Sequence, residues 1–297
     1  MYRIIIAFFL ILPVVFSCEN QANPINPSSS IPEYDSNPIT ISIPSNTVNE
    51  ASGICDSRSM AGNVWVQEDG SNPNVLHLFS HQGNYVGKTQ LPFPNRDWED
   101  ITIGKGPQEG RNYIYLADIG DNLAAYNNEY YIYRFLEPQS LNEKIQQYDR
   151  IAFRYSDGSR DAEAILLDPA TKDIYIVTKR EFNVRLYHLP YPQSTTEFQT
   201  ANFIQNIGYQ VITSGGISSD GKEIVLRNYS NMYYWYRKDN ESIIQALARS
   251  RDKVLPFVKE IQEEGFCFDK DNKGIFSIGE RPDGSAVANS LYYYKKK

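Results

Sequence analysis

Five short phrases in this chain carry the residues that could do chemistry. They run Glu50-Ala51-Ser52-Gly53-Ile54, Asp97-Trp98-Glu99-Asp100-Ile101, Asp161-Ala162-Glu163-Ala164-Ile165, Thr213-Ser214-Gly215-Gly216-Ile217 and Glu263-Glu264-Gly265-Phe266. Aligned on the closing apolar residue and the small or acidic residue before it, the first variable position reads Ser52, Glu99, Glu163, Gly215 and Glu264. These positions lie 47, 64, 52 and 49 residues apart. Three glutamates gathered at one level repel one another and lose hydration, so without a cation at least one of them must keep a proton. A hard divalent ion removes the conflict, and Ca2+ takes about six to eight oxygens from carboxylates, hydroxyls, carbonyls and water. Ser52, Glu99, Glu163, Gly215 and Glu264 are therefore the candidate metal ligands, with Ca2+ the expected ion. The plainer alternative is that the glutamates cap strand ends around a water-filled channel.

A period of roughly 50 residues is the mark of a repeat architecture. After each phrase comes a turn near Asp56, Gly104, Asp168, Asp220 or Asp269, and then a β-branched and aromatic run such as Tyr113-Ile114-Tyr115-Leu116 or Ile174-Tyr175-Ile176-Val177. A third run follows, for example Tyr131-Ile132-Tyr133-Arg134 and Met232-Tyr233-Tyr234-Trp235. Short strands separated by Gly, Pro, Asn and Asp turns read as one antiparallel blade per repeat. Five such blades predict an all-β fold, a five-bladed β-propeller, with the first strand of each blade on the axis.

The amino terminus has a different character. Arg3 precedes an apolar run from Ile4 to Phe16, too short to span a bilayer and of the length of a signal peptide, here residues 1–17. Val15-Phe16-Ser17-Cys18 resembles a bacterial lipobox, which implies lipidation at Cys18 and a lipid-anchored protein of the cell envelope. Residues 18–37 are rich in Asn, Pro and Ser and read as a flexible tether. The propeller is expected over residues 38–297. Its last repeat stops after the third run, so the alternating stretch Pro38-Ile39-Thr40-Ile41-Ser42-Ile43 is the expected closing strand, which would leave no open edge.

A net charge of −7 and a calculated pI near 5.1 supply no basic field for nucleic acid. The 22 tyrosines suit packing between blades, and the stretch from Glu241 to Arg251 reads as a helical surface excursion. Cys55 and Cys267 fall at the same offset in blades that become neighbours on closure; an exported protein permits a disulfide between them, while equivalent positions that point in one rotational sense favour the alternative of buried free thiols. His77, His81 and His188 give neither zinc spacing nor a triad.

Antiparallel pairing sets the end of each second strand beside the start of the first, so Asp118, Asp121, Asn122, Lys179, Arg180, Arg227 and Arg281 belong at the mouth of the ring. Basic residues from three blades beside three glutamates suggest a site for an anionic small molecule, a phosphate or a carboxylate, held with the metal. Two functions follow. One is a ligand- or partner-binding propeller of the envelope with an axial calcium. The other is a phosphohydrolase in which the ion polarises the phosphoryl group and Glu99, Glu163 or Asp118 activates water. A glycosidase with paired carboxylates is a weaker third.

The ring order Ser, Glu, Glu, small residue, Glu, with its first interval of 47, resembles that of the soluble calcium-activated apyrases, five-bladed propellers with an axial calcium. In that family the fourth blade carries a serine where this chain has Gly215, so a backbone carbonyl or Ser214 would have to substitute. The resemblance covers the ring and the blade count, and it implies calcium more than nucleotide hydrolysis. The pairing of Asp97-Trp98-Glu99-Asp100-Ile101 with Ala117-Asp118-Ile119-Gly120-Asp121-Asn122 also resembles uncharacterised exported bacterial propellers, a kinship that implies no substrate.

Overall fold

The computed structural model describes residues 31–259, 262–280 and 289–297. The expected signal peptide and Cys18 lie outside the described residues. Strand β1 (Ile39–Ser42) comes first, and β2 (Ala51–Asp56), β3 (Asn63–Glu68), β4 (Val75–Ser80) and β5 (Tyr85–Gln90) then form one antiparallel sheet in chain order. A second run is β6 (Trp98–Lys105), β7 (Asn112–Asp118), β8 (Tyr130–Leu136) and β9 (Asp149–Tyr155). A third is β10 (Ala162–Leu167), β11 (Ile174–Thr178), β12 (Val184–Leu189) and β13 (Gln199–Ile207). A short parallel pairing of β9 with β13 joins these two runs into one eight-stranded sheet. The fourth run is β14 (Ile212–Ile217), β15 (Glu223–Asn228), β16 (Asn231–Tyr236) and β17 (Lys253–Leu255). In the last, β18 (Gln262–Phe268), β19 (Gly274–Glu280) and β20 (Ser290–Lys295) are completed by β1, which pairs antiparallel with β20 from Ile39↔Tyr293 to Ser42↔Ser290.

The strands form where the sequence places β-branched and aromatic residues, and both faces of the inner ones are covered. Thus β2 and β10 are buried at every position, as is β11 beside β10. Strands β2, β6, β10, β14 and β18 touch in succession, and β18 returns to β2. The core is divided accordingly into five seams between neighbouring runs. Tyr115, Ile132 and Phe153 of the second run meet Ile165, Ile176 and Tyr187 of the third. Val225 and Tyr234 meet Phe266 and Tyr294 in another seam, and Ile54 and Val64 meet Phe276 and Ile278 where the last run meets the first. Tyrosines serve these seams as the sequence suggests.

Two features depart from the sequence reading. The stretch read as tether is already pinned at Tyr34, which is buried, donates to Glu223 Oε2 at 2.6 Å and bridges to Lys296. The helical excursion is a short α1 (Ile243–Ala248), capped by Ser242 and Gln245, and it is more than surface decoration: Ile243, Ala246 and Leu247 are buried against the seam of the third and fourth runs. Cys55 and Cys267 are free and buried, one in the seam of the first and second runs and the other in the seam of the last and first.

Candidate metal centre

Each inner strand carries a register irregularity near its start. The shifts fall between Ala51 and Gly53, Trp98 and Asp100, Ala162 and Ala164, Ile212 and Ser214, and Glu263 and Gly265. A bulge leaves one residue outside the ladder and re-aims its side chain, a recurrent device beside functional sites. The residues so displaced are Ser52, Glu99, Glu163, Thr213 and Glu264, each no more than 4% exposed. Four are those the sequence singles out. In β14, however, the equivalent position is Thr213, while Gly215 pairs regularly with Leu226, and a Cβ on it would press on Leu166, Leu226 and the Val225 carbonyl. Gly215 is thus a packing glycine, and the hydroxyl that the fourth position appeared to lack is supplied two residues earlier.

The carboxylates that come together are more numerous than the ring alone. Ligand atoms of Glu99, Asp161 and Glu163 lie within 4.8 Å of one another, and so do those of Asp69, Asp97 and Glu99. Glu99 therefore belongs to both groups. Asp97 reaches it because the turns after β3 and β7 carry glycine: a Cβ on Gly70 would strike Asp97 Oδ1, and one on Gly120 would strike both Asp97 and Glu99. Ser52 Oγ donates to the Glu99 carbonyl at 2.5 Å and lies 3.5 Å from its Oε2. Glu163 Oε1 is paired with Lys179, while Glu163 Oε2 is buried with no hydrogen-bond partner. The Tyr229 hydroxyl donates to Glu264 Oε1 at 3.0 Å.

Crowding shows in the protonation equilibria. Burial raises Glu99 well above the usual carboxylate range, and Glu163, Asp69 and Glu264 push it further. Burial lifts Asp69 to about 7 and Asp97 to about 6. It lifts Glu280 to about 9, with Glu264 the next cause. Against burial, which favours a neutral amine, Glu163 and Glu264 raise Lys179. Among the described residues, Asp69, Asp97 and Glu99 have no salt-bridge partner, whereas Asp161 and Glu163 have Arg180 and Lys179.

The residues expected to present an anion site fare differently. Lys179 and Arg180 are engaged by Glu163 and Asp161, and Asn122 accepts from Arg180. Asp121 is buried and organises its own loop, accepting from Ala125 N at 2.6 Å and Tyr130 OH at 2.8 Å. Asp118 is buried too; its Oδ1 accepts from Arg96 Nε and Asp97 N, and its Oδ2 has no partner. Arg227 is fully buried, opposite Ser214 in the ladder. It crosses the seam between the last two runs and donates to the Gly265 carbonyl at 2.9 Å and Ser277 Oγ at 3.1 Å. Arg281 lies outside the described residues.

Sequence reasoning missed Asp100, which ties the ring together. Its Oδ1 accepts from Ile101 N at 2.9 Å and Ser214 Oγ at 3.2 Å, and its Oδ2 accepts from Ile165 N at 3.0 Å. One side chain of β6 thereby holds β10 and β14. The signal was present: the corresponding residues of the other phrases are Gly53, Ala164, Ser214 and Gly265, and only Asp100 carries a charge.

The closed succession of inner strands and the seam-by-seam core define the chain as an all-β protein of the propeller type. No protein family matches the chain, and no curated protein is similar to it. Among solved structures, the one described as "Structure of Dos1 propeller" matches 82% of this chain and 68% of its own, at 11% identity and a TM-score of 0.38. Among the described residues, no helix is long and apolar enough to cross a membrane.

Proposed function

We propose that the chain is a five-bladed β-propeller, closed by β1, that binds a divalent cation at the mouth of its ring and uses it to take an anionic small molecule or a partner at the cell envelope. Glu99 carries this reading: it is buried, lacks an ion-pair partner among the described residues, and is shared by two sets of carboxylates. The donors are all oxygen, which suits Ca2+ or another hard ion. Glu99, Asp69, Asp97, Asp161 and the free oxygen of Glu163 would hold the ion, with Ser52, Thr213 and Glu264 close by in the same ring of bulges. The anion would be met by the cation itself, since Lys179, Arg180 and Arg227 already have protein partners.

Chelation should lower the melting temperature and Ca2+ should restore it. Binding to the folded ring alone adds about 2.7 kcal/mol at a hundredfold excess over Kd. If metal analysis finds no ion and calorimetry no calcium-dependent shift, the carboxylates are strand-capping groups. Calcium-dependent release of phosphate from nucleoside di- or triphosphates would move the protein to the alternative class, the phosphohydrolases. Lipid anchoring through Cys18 is tested by Cys18→Ala, which should leave the protein outside the membrane fraction.

A further inference from the structure

We propose that the mouth holds two divalent cations, bridged by Glu99, in place of a lone axial ion. This rests on the cation reading above and deepens it. The two trios, Asp69–Asp97–Glu99 and Glu99–Asp161–Glu163, each gather three ligand atoms within 4.8 Å, and Glu99 is their common member. Two cations on one bridging carboxylate stand about 3.5–4 Å apart, the spacing of known two-metal sites. The observation independent of clustering is Glu163 Oε2. It is an acceptor in a residue 3% exposed, it lacks any hydrogen bond, and it belongs to a carboxylate whose other oxygen is held by Lys179. A buried oxygen without a donor is costly unless something absent from the protein's own atoms satisfies it.

The two positions differ in charge. Asp69, Asp97 and Glu99 make no salt bridge among the described residues, whereas Asp161 and Glu163 are already countered by Arg180 and Lys179. The first position is therefore the tighter, by at least about tenfold, and the second fills afterwards. Asp69 and Asp97 are also only part-buried, which leaves the first ion open to water or to an oxygen of an incoming anion. A pair of hard cations favours ligands that offer two oxygens, a phosphate ester or a carboxylate, and this is how an acidic mouth can receive an anion.

The test is metal stoichiometry on the chelator-stripped mature protein, by calorimetric titration and elemental analysis with Ca2+, and by electron paramagnetic resonance with Mn2+. Wild type should bind two ions per chain, with the six-line Mn2+ signal broadened by exchange at full loading. Asp69→Asn should lose the tight ion and keep the weak one, Asp161→Asn the reverse, and Glu99→Gln should weaken both at least tenfold. A single ion that both aspartate variants abolish overturns the bridged pair while leaving the cation reading intact. No ion at all overturns both. Should Asp161→Asn fail to fold because the Asp121 amide and Arg180 depend on it, the wild-type stoichiometry and Asp69→Asn decide, and a wild-type value of one refutes the pair.

Discussion

Replacing Asp100 by alanine should destabilise the whole ring, because this carboxylate is the acceptor for three inner strands at once. In Asp100→Ala the amides of Ile101 and Ile165 lose their side-chain acceptor in a buried setting, while the Ser214 hydroxyl can turn elsewhere. An orphaned buried donor costs about 1–3 kcal/mol. Two of them sum to about 2–6 kcal/mol, and relief from burying a carboxyl offsets part, so a net loss of about 3 kcal/mol is expected. For a domain of this size each kcal/mol moves Tm by about 2–4 °C, which predicts a fall of about 6–12 °C. Asp100→Asn keeps one acceptor oxygen but turns an amide group toward a donor, so it should fall between alanine and wild type. Glu129→Ala is the control: its pairing with Arg154 is exposed on both sides, and surface pairs are worth about 0–1 kcal/mol. Thermal unfolding followed by calorimetry gives the answer. An Asp100→Ala protein that melts with wild type, or no lower than Glu129→Ala, would show that the inner strands do not depend on this contact.

Arg227→Ala should lower Tm by an amount comparable to Asp100→Ala, because it removes a buried bridge across a seam; selective loss of ligand binding at unchanged Tm would return Arg227 to the rim. Asp118 supplies a pH prediction. Burial raises it to about 6 against the opposing Arg96, so the fold retains a proton that the unfolded chain releases near pH 4. Stability from this group therefore falls as pH rises from about 4 to about 6 and is level above that. Asp118→Asn places an amide on the unpartnered oxygen and keeps the acceptor for Arg96 and Asp97 N, so it should stabilise the protein at pH 7 by on the order of 3 kcal/mol and have no effect near pH 4. An equal shift at both pH values would contradict the assignment. Truncation separates tether from fold: starting the chain at Pro32 should leave Tm unchanged, whereas starting at Ser36 removes buried Tyr34 and should cost about 3 kcal/mol. Equal melting of the two would make Tyr34 dispensable.

What the sequence could and could not reveal turns on the bulges. Period, strand runs and three of the acidic ring residues are one-dimensional patterns, and they survive into the structure because each inner strand repeats the same local problem of starting beside a crowded axis. The fourth ring position failed for a definite reason. Aligning phrases on the apolar residue at the end assumes the same count of residues from bulge to core in every repeat. The fourth phrase runs from the bulge at Thr213 through Ser214 and Gly215 to a second glycine, Gly216, before its apolar Ile217, two residues longer than Glu99-Asp100-Ile101. Counting from the bulge instead gives intervals of 47, 64, 50 and 51 and a hydroxyl in each position that lacks a carboxylate. The mouth was harder still. Charge at the end of a second strand looks alike whether it faces water, as Arg180 does, or turns inward to Glu163, as Lys179 does, or crosses a seam, as Arg227 does. Only the partners decide, and they come from other repeats. The same reasoning explains why Asp69, Asp97 and Asp161 escaped notice as ligands. Asp97 and Asp161 open their phrases and Asp69 follows a second strand, places where an acidic residue reads as solvated; they gather only when the inner strands meet, with the glycine turns at Gly70 and Gly120 leaving room for Asp97 beside Glu99.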